Sequence, residues 1–487
     1  MQVLATDGYK FSMAEAGWPL RREVFYYTHR KGGPAQVPFD VRAELGKLFP
    51  TATAADYAYL SANEYEMGGA FKAAIARRGD LAIRTVPKGA WFLPREPVFS
   101  IAGPSALVSW FEPLALQLHY RIQVASLAVL DPAALAAEVR TVTCNEQRDL
   151  VHEALDAVGV AAPEIQVDAE GYFARVRASA RELVSIVGDG GRIFEVGLRA
   201  ASCVAQHRIA LQACQAEGIR RTSHVALAQE LGMIPVGTMG HEHVQRFGSD
   251  VAAFRAMRDR RPGRSSYLLD TFDTIHSGIP AAFDLMAEEA QRRDSIRYDS
   301  GDKEAQYLAA TAEAKRRGLR PIQILEDGFD AAQTRRFEEL RVAAEWAPDE
   351  QFYGYGGHLV AKPGATTLTR DRVAAVFKLS KTAATPTMKF GDEKGAGKES
   401  VPGEPVVFRR VRGSGPGGVI GQAGEQPPVD YVALTDGEPL PFAGAPEDGR
   451  VVLSAATQAL VAELRAKRTA LLREGAHAHR EGAQERG

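Results

Sequence analysis

The sequence is poor in cysteine, lacks long apolar runs and carries almost no net charge. Its three cysteines, Cys144, Cys203 and Cys214, form no CxxC pair, which favours a reducing compartment over a disulfide framework or a cysteine-rich metal site. No stretch approaches the roughly 18 apolar residues of a membrane span. Residues 1–13 lack the basic start and apolar run of a secretory signal. We therefore expect a soluble, cytoplasmic protein that does not enter membranes.

The near-neutral charge argues against binding of nucleic acid or membranes and leaves binding of a small anion open. Lys and Arg number 59 and Asp and Glu number 61, so the formal net charge is −2. This balance provides no electrostatic basis for binding nucleic acid or an anionic membrane. A local cluster of Arg and Lys can still hold an anionic small molecule. The length of 487 residues, 45% of them hydrophobic, allows two or three domains with a substantial core.

Short apolar runs recur between about residues 190 and 380, and a helical stretch follows each one. They cover residues 193–196, 234–236, 267–269, 295–298, 322–325 and 351–353. The residues that follow the last five runs, His241, Asp270, Asp299, Asp327 and Gly356, are separated by 29, 29, 28 and 29 positions. One strand and one helix fit this spacing, which predicts a parallel sheet closed as a β/α barrel with these residues at one mouth.

The fold prediction is an α/β protein with an irregular β/α barrel and an additional α+β domain built from both chain ends. The barrel is predicted over residues 166–380 and the N-terminal α+β domain over residues 1–165. Residues 381–487 are predicted to pack on the N-terminal domain. Within them, residues 391–428 are rich in Gly, Pro and charge and are predicted to be loops.

Three segments imitate known binding motifs. Residues 413–418 match GxGxxG but lead into two prolines and not a helix, and residues 391–399 resemble a P-loop with the wrong glycine spacing. We predict that both are surface loops. His241 and His243 form an H-x-H pair like that of metal-dependent barrel hydrolases. They follow glycines in a loop, which weakens that interpretation, but a hydrolase remains an alternative.

Residues 296–302 are the strongest local signal, because an arginine and two carboxylates surround a glycine at a strand end. Arg297 can bind phosphate, and Asp299 and Asp302 can bind ribose hydroxyls or Mg²⁺. The alternative is that these residues cap the following helix.

The next two β/α units also place candidate phosphate or ribose contacts directly after a strand. Asp327 follows the next strand, and Gly356 and Gly357 follow the one after, where backbone N–H groups can approach a phosphate closely unless the pair is an ordinary tight turn. Together these loops predict a sugar-phosphate site rather than a hydrolytic metal site.

With these motifs the chain resembles the nicotinate phosphoribosyltransferases and, more distantly, the nicotinamide phosphoribosyltransferases, from Thr6 to about Arg410. The resemblance implies transfer of the phosphoribosyl group of phosphoribosyl pyrophosphate to nicotinate, which gives nicotinate mononucleotide and pyrophosphate in NAD salvage. It also implies coupling to ATP hydrolysis, a need for Mg²⁺ and a homodimer with shared active sites. The matching segments are Thr6-Asp7-Gly8-Tyr9-Lys10, Tyr26-Tyr27-Thr28-His29-Arg30, Glu195-Val196-Gly197-Leu198-Arg199, Thr222-Ser223-His224-Val225, Gly237-Thr238-Met239-Gly240-His241-Glu242 and Met388-Lys389-Phe390.

The resemblance also implies residue roles at the pyridine end. Tyr9 would stack on the pyridine ring of the neighbouring subunit, and Arg199 would contact the pyridine carboxylate. Ser223 stands where nicotinamide enzymes have Asp; a serine hydroxyl can donate to a carboxylate, which an Asp would repel. Val196 replaces an aromatic residue that often stacks on the ring.

At the phosphate end the resemblance implies a second set of roles. His241 would be phosphorylated by ATP, and Asp299 would stabilise the positive charge that develops on the sugar. Asp299 and Asp302 are the candidate Mg²⁺ ligands. The remaining predicted contacts to ribose and phosphates are Arg30, Arg297, Asp327, Gly356, Gly357, Arg370 and Lys378. Three alternatives stay open: a nicotinamide enzyme, the metal-dependent hydrolase and a non-catalytic relative.

Overall fold

The computed structural model describes residues 1–289, 293–390, 399–438 and 444–484, with side chains up to residue 473. The P-loop-like segment 391–399 lies outside these residues except for Glu399. Among the described helices, none has the length and apolar character required to cross a bilayer.

The N-terminal part alternates short helices with strands. Its elements are α1 (Gly8–Ala16), β1 (Arg22–His29), β2 (Ala35–Gln36), α2 (Val41–Lys47), α3 (Ala54–Ala62), α4 (Gly69–Ala76), β3 (Ala82–Thr85), β4 (Trp91–Phe92), β5 (Phe99–Pro104), α5 (Ser105–Trp110) and α6 (Glu112–Leu130). Strand β1 is buried along seven of its eight residues because elements cover both of its faces.

A helical segment links this part to the barrel, in the stretch where the sequence carries no recognisable motif. Its elements are α7 (Pro132–Val139), β6 (Thr141–Val142), α8 (Asn145–Val158), β7 (Gln166–Val167) and α9 (Ala169–Val187). Helix α8 has its apolar residues on one face, and its buried residues Val151, Ala154 and Leu155 join a small hydrophobic cluster with α6 and α7.

The regular β/α units form the predicted barrel. They comprise β8 (Ile193–Glu195), α10 (Val204–Ala216), β9 (Arg221–Thr222), α11 (Val225–Leu231), β10 (Ile234–Pro235), α12 (His241–Phe247), α13 (Asp250–Arg260), β11 (Ser266–Leu268), α14 (Ile279–Ala287), β12 (Ser295–Tyr298), α15 (Lys303–Arg317), β13 (Ile322–Leu325), α16 (Ala331–Ala343) and β14 (Gln351–Tyr355). The strand order is β10-β9-β8-β14-β13-β12-β11, and all neighbours are parallel.

The barrel differs from the prediction in one respect, because its sheet is not closed. Within the described residues β10 and β11 form the two edges and do not pair. The sequence prediction also missed β9, whose two residues are too short to give a pattern. The curled parallel sheet nevertheless presents all its carboxyl ends on one side.

The C-terminal part adds strands to the N-terminal sheet and builds a further sheet. Its elements are α17 (Arg370–Val373), β15 (Ala375–Thr382), β16 (Thr385–Pro386), β17 (Pro405–Arg410), β18 (Gly418–Gln422), β19 (Tyr431–Ala433), β20 (Val451–Leu453) and α18 (Ala455–Gln484). The first sheet has the order β16-β15-β1-β5-β3, and the second has the order β19-β17-β18-β20.

The prediction that residues 391–428 are all loops is therefore wrong for two stretches. Strands β17 and β18 pair antiparallel with Arg409 opposite Gly418, and residues 411–417 form the connection between them. The GxGxxG match thus lies in a hairpin connection, as a surface loop would, and no helix follows it.

The chain has two large hydrophobic cores, and buried ion pairs join them. One core fills the barrel and the other lies under the five-stranded sheet. Arg246 of α12 binds Glu23 of β1 through two contacts of 2.7 and 2.8 Å, and both side chains are almost fully buried. Lys10 of α1 lies 2.8 Å from Glu242 of α12. These contacts set the carboxyl ends of the barrel strands against the first sheet.

Candidate active site

Three cavities open at the carboxyl ends of the barrel strands and meet at one residue, Arg199. We call them the inner cavity, the glycine-loop cavity and the cationic cavity, with volumes of about 240, 350 and 300 Å³. Arg199 lies in the short 3₁₀ turn after β8 and lines all three. A single elongated ligand can therefore occupy more than one of them.

The inner cavity combines aromatic walls with polar side chains, which include Glu64, Arg261 and Arg264; we call the part with Arg199 and Ser223 its polar end. Tyr9, Tyr65 and Phe194 provide rings, so the loss of an aromatic residue at Val196 leaves other rings around the space. At the polar end, Ser223 donates from its hydroxyl to Asp7 Oδ1 at 2.6 Å. Such a cavity suits a small flat ring that carries an anionic group.

Asp7 is a residue that the sequence motif contained but to which no role was assigned. Burial raises the pKa of its carboxyl above the ordinary value, against the opposing effects of Arg199 and the hydrogen bond from Ser223. Because Ser223 points its proton at Asp7, the hydroxyl is free to donate elsewhere only when Asp7 carries a proton.

Tyr9 lies at the junction of the inner and cationic cavities of its own chain. Its hydroxyl donates to Glu112 and accepts from Arg199 Nη1 at 3.3 Å. Glu112 also lies 2.5 Å from Lys10 Nζ. Burial alone would raise the pKa of Glu112, but Lys10, followed by Arg199 and Lys378, lowers it to about 2. No motif surrounds Glu112, so sequence reasoning did not find it. The reach of Tyr9 into a neighbouring subunit stays a prediction.

The glycine-loop cavity is formed by the loop after β14. Gly356 and Gly357 line it with Asp327 and Arg370. Among the described residues, none accepts a hydrogen bond from the backbone N–H of Gly356 or Gly357. A side chain at position 357 would have its Cβ only 2.8 Å from Asp371 Oδ2, so glycine keeps this loop open. Unused N–H groups beside an arginine suit a phosphate.

The cationic cavity collects basic side chains from several distant segments. Arg30 comes from the end of β1, Arg370 from α17 and Lys378 from β15, and all three line the cavity with Arg297. Burial lowers the pKa of Lys378 to about 7, with Lys389 acting in the same direction. This concentration of cations suits a polyphosphate.

His241 lies at the wall of the cationic cavity as the first residue of α12. Its Nδ1 lies 3.1 Å from Thr271 Oγ1, and its Nε2 lies 3.2 Å from Asp299 Oδ2. Lys389 Nζ is 2.7 Å from the same Nε2. Burial, followed by Lys389, lowers the pKa of His241, so the ring is neutral near pH 7. Lys389 belonged to a matching motif but was not predicted as a site residue.

Asp299 is the best-supported carboxylate of the site. Arg297 donates from Nη2 to its Oδ1 at 2.8 Å, and Arg297 Nε lies 3.1 Å from Glu326 Oε2. Burial would raise the pKa of Asp299, but Arg297, then His241 and Lys389, hold it well below the ordinary value. Asp299 is therefore ionised in the cationic cavity, beside Arg297, which lines both this cavity and the inner one.

Among the residues that the structure describes, one group can hold a cation, and it differs from the predicted pair. Ligand atoms of His241, Asp270 and Asp299 lie within 4.8 Å of one another, and Asp270 Oδ1 is buried without a hydrogen bond among the described residues. Asp302 does not join them. It is exposed, and its Oδ1 accepts from Ala305 N at 3.0 Å as the N-cap of α15, because a carboxylate three residues before a helical N–H caps it readily.

The H-x-H pair does not converge on a common site. His243 is fully buried and donates from Nε2 to the carbonyl of Ala253 at 3.1 Å, while His241 faces the cationic cavity. Within a helix, positions i and i+2 lie on different faces, unlike those in a strand. This geometry removes the main support for the hydrolase alternative.

Comparison with known proteins gives partial sequence matches. No family model matches this chain. It is 32% identical over 220 residues to the nicotinate phosphoribosyltransferase pncB2 of Mycobacterium tuberculosis, covering 44% of this chain and 43% of that protein. It is 26% identical over 279 residues to the nicotinate phosphoribosyltransferase of Bacillus subtilis, covering 54% of this chain and 51% of that protein. The chain thus matches about half the length of these relatives.

Solved structures extend the likeness to most of the chain. The nicotinate phosphoribosyltransferase structure from Porphyromonas gingivalis matches with a TM-score of 0.58 at 18% identity, covering 82% of this chain and 95% of that one. The structure from Vibrio cholerae matches with a TM-score of 0.58 at 17% identity, covering 81% and 89%. At this level of identity the likeness shows the fold, and the predicted fold class is confirmed.

Proposed function

We propose that this protein is a nicotinate phosphoribosyltransferase that forms nicotinate mononucleotide and pyrophosphate, and that it acts in NAD salvage. The observation that carries the proposal is the position of Asp299. This ionised carboxylate lines the cavity that holds Arg30, Lys378 and other cations, and it binds Arg297, which also lines the ring-sized cavity with Arg199 and Ser223 at its polar end. Nicotinate fits the first cavity and pyrophosphate fits the second.

The proposed mechanism places opposite charges where the reaction develops them. As pyrophosphate leaves C1 of the ribose, negative charge grows on it and Arg30, Arg370 and Lys378 neutralise that charge. Positive charge grows on the sugar beside Asp299, whose low pKa keeps it ionised. The pyridine nitrogen, held in line by the inner cavity, then bonds to C1. No side chain needs to attack the sugar, so positioning supplies much of the remaining acceleration.

Substrate choice between nicotinate and nicotinamide depends on the polar end of the inner cavity. Arg199 and the hydroxyl of Ser223 favour a carboxylate. Asp7 lies behind Ser223 and would repel the carboxylate if it were ionised, but burial raises its pKa. A protonated Asp7 favours nicotinate. Nicotinamide is the second candidate, because its amide can donate a hydrogen bond to an ionised Asp7 or accept one from a protonated Asp7.

Two further components of the proposal concern ATP and Mg²⁺. His241 is the proposed site of phosphorylation by ATP, because its Nε2 faces the cationic cavity and Lys389 lies beside it. Asp299 and Asp270 are the proposed ligands of Mg²⁺, which would supply charge neutralisation to the bound pyrophosphate. Carboxylate oxygens suit this ion, and the unpartnered Oδ1 of Asp270 leaves a ligand position open.

The predicted site residues come together within one chain, which bears on the expected homodimer with shared sites. Tyr9, Arg30, Arg370 and Lys378 line the same cationic cavity as His241 within one chain. We propose that each chain carries a complete site, while association of chains remains a prediction from the resemblance.

The deciding experiment measures product formation from phosphoribosyl pyrophosphate and Mg²⁺, with nicotinate or nicotinamide, each with and without ATP. We expect nicotinate mononucleotide, formed faster with ATP. Asp299→Asn should lower kcat by about 100-fold or more, since an electrostatic group at the reacting centre is removed. Asp131→Asn, at the exposed cap of α7, is the matched control. Product from nicotinamide alone would contradict the substrate assignment, and no product from either base would contradict the proposed activity.

A further inference from the structure

Two cysteine thiols face each other where two helices begin. Cys144 is the N-cap residue of α8 and Cys203 is the N-cap residue of α10, and their Sγ atoms lie 3.5 Å apart. Both residues are buried, with 4% and 2% of their surface exposed. The sulfurs would have to approach by about 1.5 Å to reach disulfide bond length. The third cysteine, Cys214, is buried in the barrel core.

Both cysteines occupy the same position in the same local structure. Thr143 donates from its N–H and its hydroxyl to Gln147 Oε1, both at 2.7 Å. Ser202 does the same to Gln206 Oε1, at 2.7 and 2.9 Å. The two segments are Thr143-Cys144-Asn145-Glu146-Gln147 and Ser202-Cys203-Val204-Ala205-Gln206. A repeated cap thus fixes both thiols in place.

The helix ends create a setting that favours a thiolate. Helices α8 and α10 have 14 and 13 residues, and the positive ends of both point at the sulfur pair. Glu146 Oε2 accepts from Ala205 N at 2.9 Å and ties the two helix starts together. The hydrogen bond from Cys203 lowers the pKa of Cys144 to about 7, whereas burial raises the pKa of Cys203 well above its ordinary value. One thiol therefore ionises first, with the other beside it.

We propose that Cys144 and Cys203 form a reversible disulfide, a modification site separate from the three cavities. With a hydroperoxide as the oxidant, the Cys144 thiolate attacks a peroxide oxygen, the O–O bond breaks and a sulfenic acid forms. The Cys203 thiol then loses its proton and its sulfur attacks the sulfenic sulfur; the S–S bond forms and the S–O bond breaks, releasing water. With hydrogen peroxide, two thiols and one peroxide give one disulfide and two waters, and a dithiol reverses the change.

The disulfide would act on the site through the segment that carries Arg199. Cys203 follows Arg199 by four residues, and the 3₁₀ turn that carries Arg199 is held at its first residue by Gln117 Nε2, which donates to the Leu198 carbonyl at 3.0 Å. Drawing Cys203 toward Cys144 changes the position of this segment. We expect the oxidised chain to bind nicotinate several-fold more weakly; this consequence, unlike the disulfide itself, rests on the proposed function.

The test compares the full chain with Cys144→Ser, Cys203→Ser and Cys214→Ser, the last being the matched control. Each reduced protein is treated with stoichiometric hydrogen peroxide, denatured, alkylated and measured by intact mass and by peptide mapping without reductant. The parent should carry one alkyl group and Cys214→Ser none, and both should yield a peptide linked through positions 144 and 203. The other two variants should yield no such link, and dithiothreitol should restore three alkylated cysteines in the parent.

Several outcomes would overturn the proposal: no linked peptide in the parent, a link through Cys214, or sulfinic and sulfonic acids alone. If Cys144→Ser or Cys203→Ser fails to fold, the peptide map of the parent decides by itself. Because the readout is mass and not turnover, a failure of the proposed transferase activity leaves this test valid.

Discussion

Lys389 Nζ lies 2.7 Å from His241 Nε2, and this contact determines which ring nitrogen can react. A lysine ammonium can only donate hydrogen bonds and an ionised carboxylate can only accept them. Because the Lys389 contact, at 2.7 Å, is shorter than the 3.2 Å contact with Asp299 Oδ2, we assign the lone pair to Nε2. The proton is then on Nδ1, which donates to Thr271 Oγ1 at 3.1 Å. The nucleophilic nitrogen therefore faces the cationic cavity, with a cation already in place for a phosphoryl group.

The first prediction is that Lys389→Met prevents phosphorylation of His241 by ATP. Without the lysine, the tautomer is no longer fixed and the phosphoryl group loses a neutralising charge. We expect the yield of acid-labile phosphate on the protein to fall at least about tenfold, the usual size for loss of a charge-assisted contact. His241→Ala gives the zero level, and Lys381→Met, on the exposed side of β15, is the control. An unchanged yield in Lys389→Met would contradict the assignment.

The second prediction concerns pH and Lys378. Its pKa of about 7 means that the side chain is charged below pH 7 and neutral above it. The kcat/KM for phosphoribosyl pyrophosphate, which reports the free enzyme, should therefore fall as pH rises above 7, by at most about tenfold per unit. Lys378→Arg should flatten this fall because arginine stays charged. The conservative change Lys381→Arg, three residues along the same strand, should leave the profile as it is in the parent.

The third prediction concerns the pair Asp7 and Ser223. Burial raises the pKa of Asp7, and only the protonated form lets Ser223 turn its proton toward a bound carboxylate. The KM for nicotinate should therefore rise with pH through a range above that of an ordinary aspartate. Asp7→Asn, which is a donor at every pH, should remove this dependence. Asp40→Asn, at the exposed cap of α2, is the control; a parent profile without the rise would refute the idea.

The sequence predicted the barrel because its signal is local and repeated. Each unit places a short apolar run before a polar residue, and the spacing of 28 or 29 residues survives in the structure from His241 to Gly356. The open seam between β10 and β11 could not be predicted, since strand pairing across an edge leaves no mark on either strand. Strands β17 and β18 were missed because their glycine-rich connection dominated the local composition.

The site was predictable where one loop carries its residues and not where tertiary contacts bring them together. Asp299 and Arg297 are neighbours in sequence and in space. Asp302 is also an aspartate after the same strand, yet it caps a helix. The sequence pattern does not distinguish a helix cap from a site carboxylate. Glu112 and Lys389 reach the cavities from α6 and from the segment after β16, so only the fold shows that they belong there.

The fourth prediction concerns stability. Arg246 and Glu23 form a doubly bonded pair whose side chains are 2% and 0% exposed, and it holds the helix that begins with His241. Arg246→Met should lower the free energy of unfolding by about 3–5 kcal/mol, because it leaves a buried carboxylate unpaired. Arg208→Met removes an exposed pair with Glu230 and should cost less than about 1 kcal/mol. Denaturant unfolding of both variants measures the difference, and equal losses would contradict this account.

The last prediction asks whether one chain completes its own site. Arg30 and His241 line the same cavity in one chain, although the resemblance implies that the two are contributed by different subunits. If sites were shared, mixing Arg30→Ala with His241→Ala, neither of which should keep ATP-stimulated activity, would create mixed dimers in which one site has both native residues, and that activity would return to as much as about a quarter of the parent's. If each chain carries a complete site, every site in the mixture lacks either Arg30 or His241. We therefore expect no recovery at any ratio or concentration.

Co-expression of the two variants, which allows subunits to mix during folding, is the stricter form of the measurement. Recovery in either format would mean that the N-terminal sheet of one chain contributes residues to the barrel site of another. Tyr9 and Arg30 would then make their site contacts across a dimer interface.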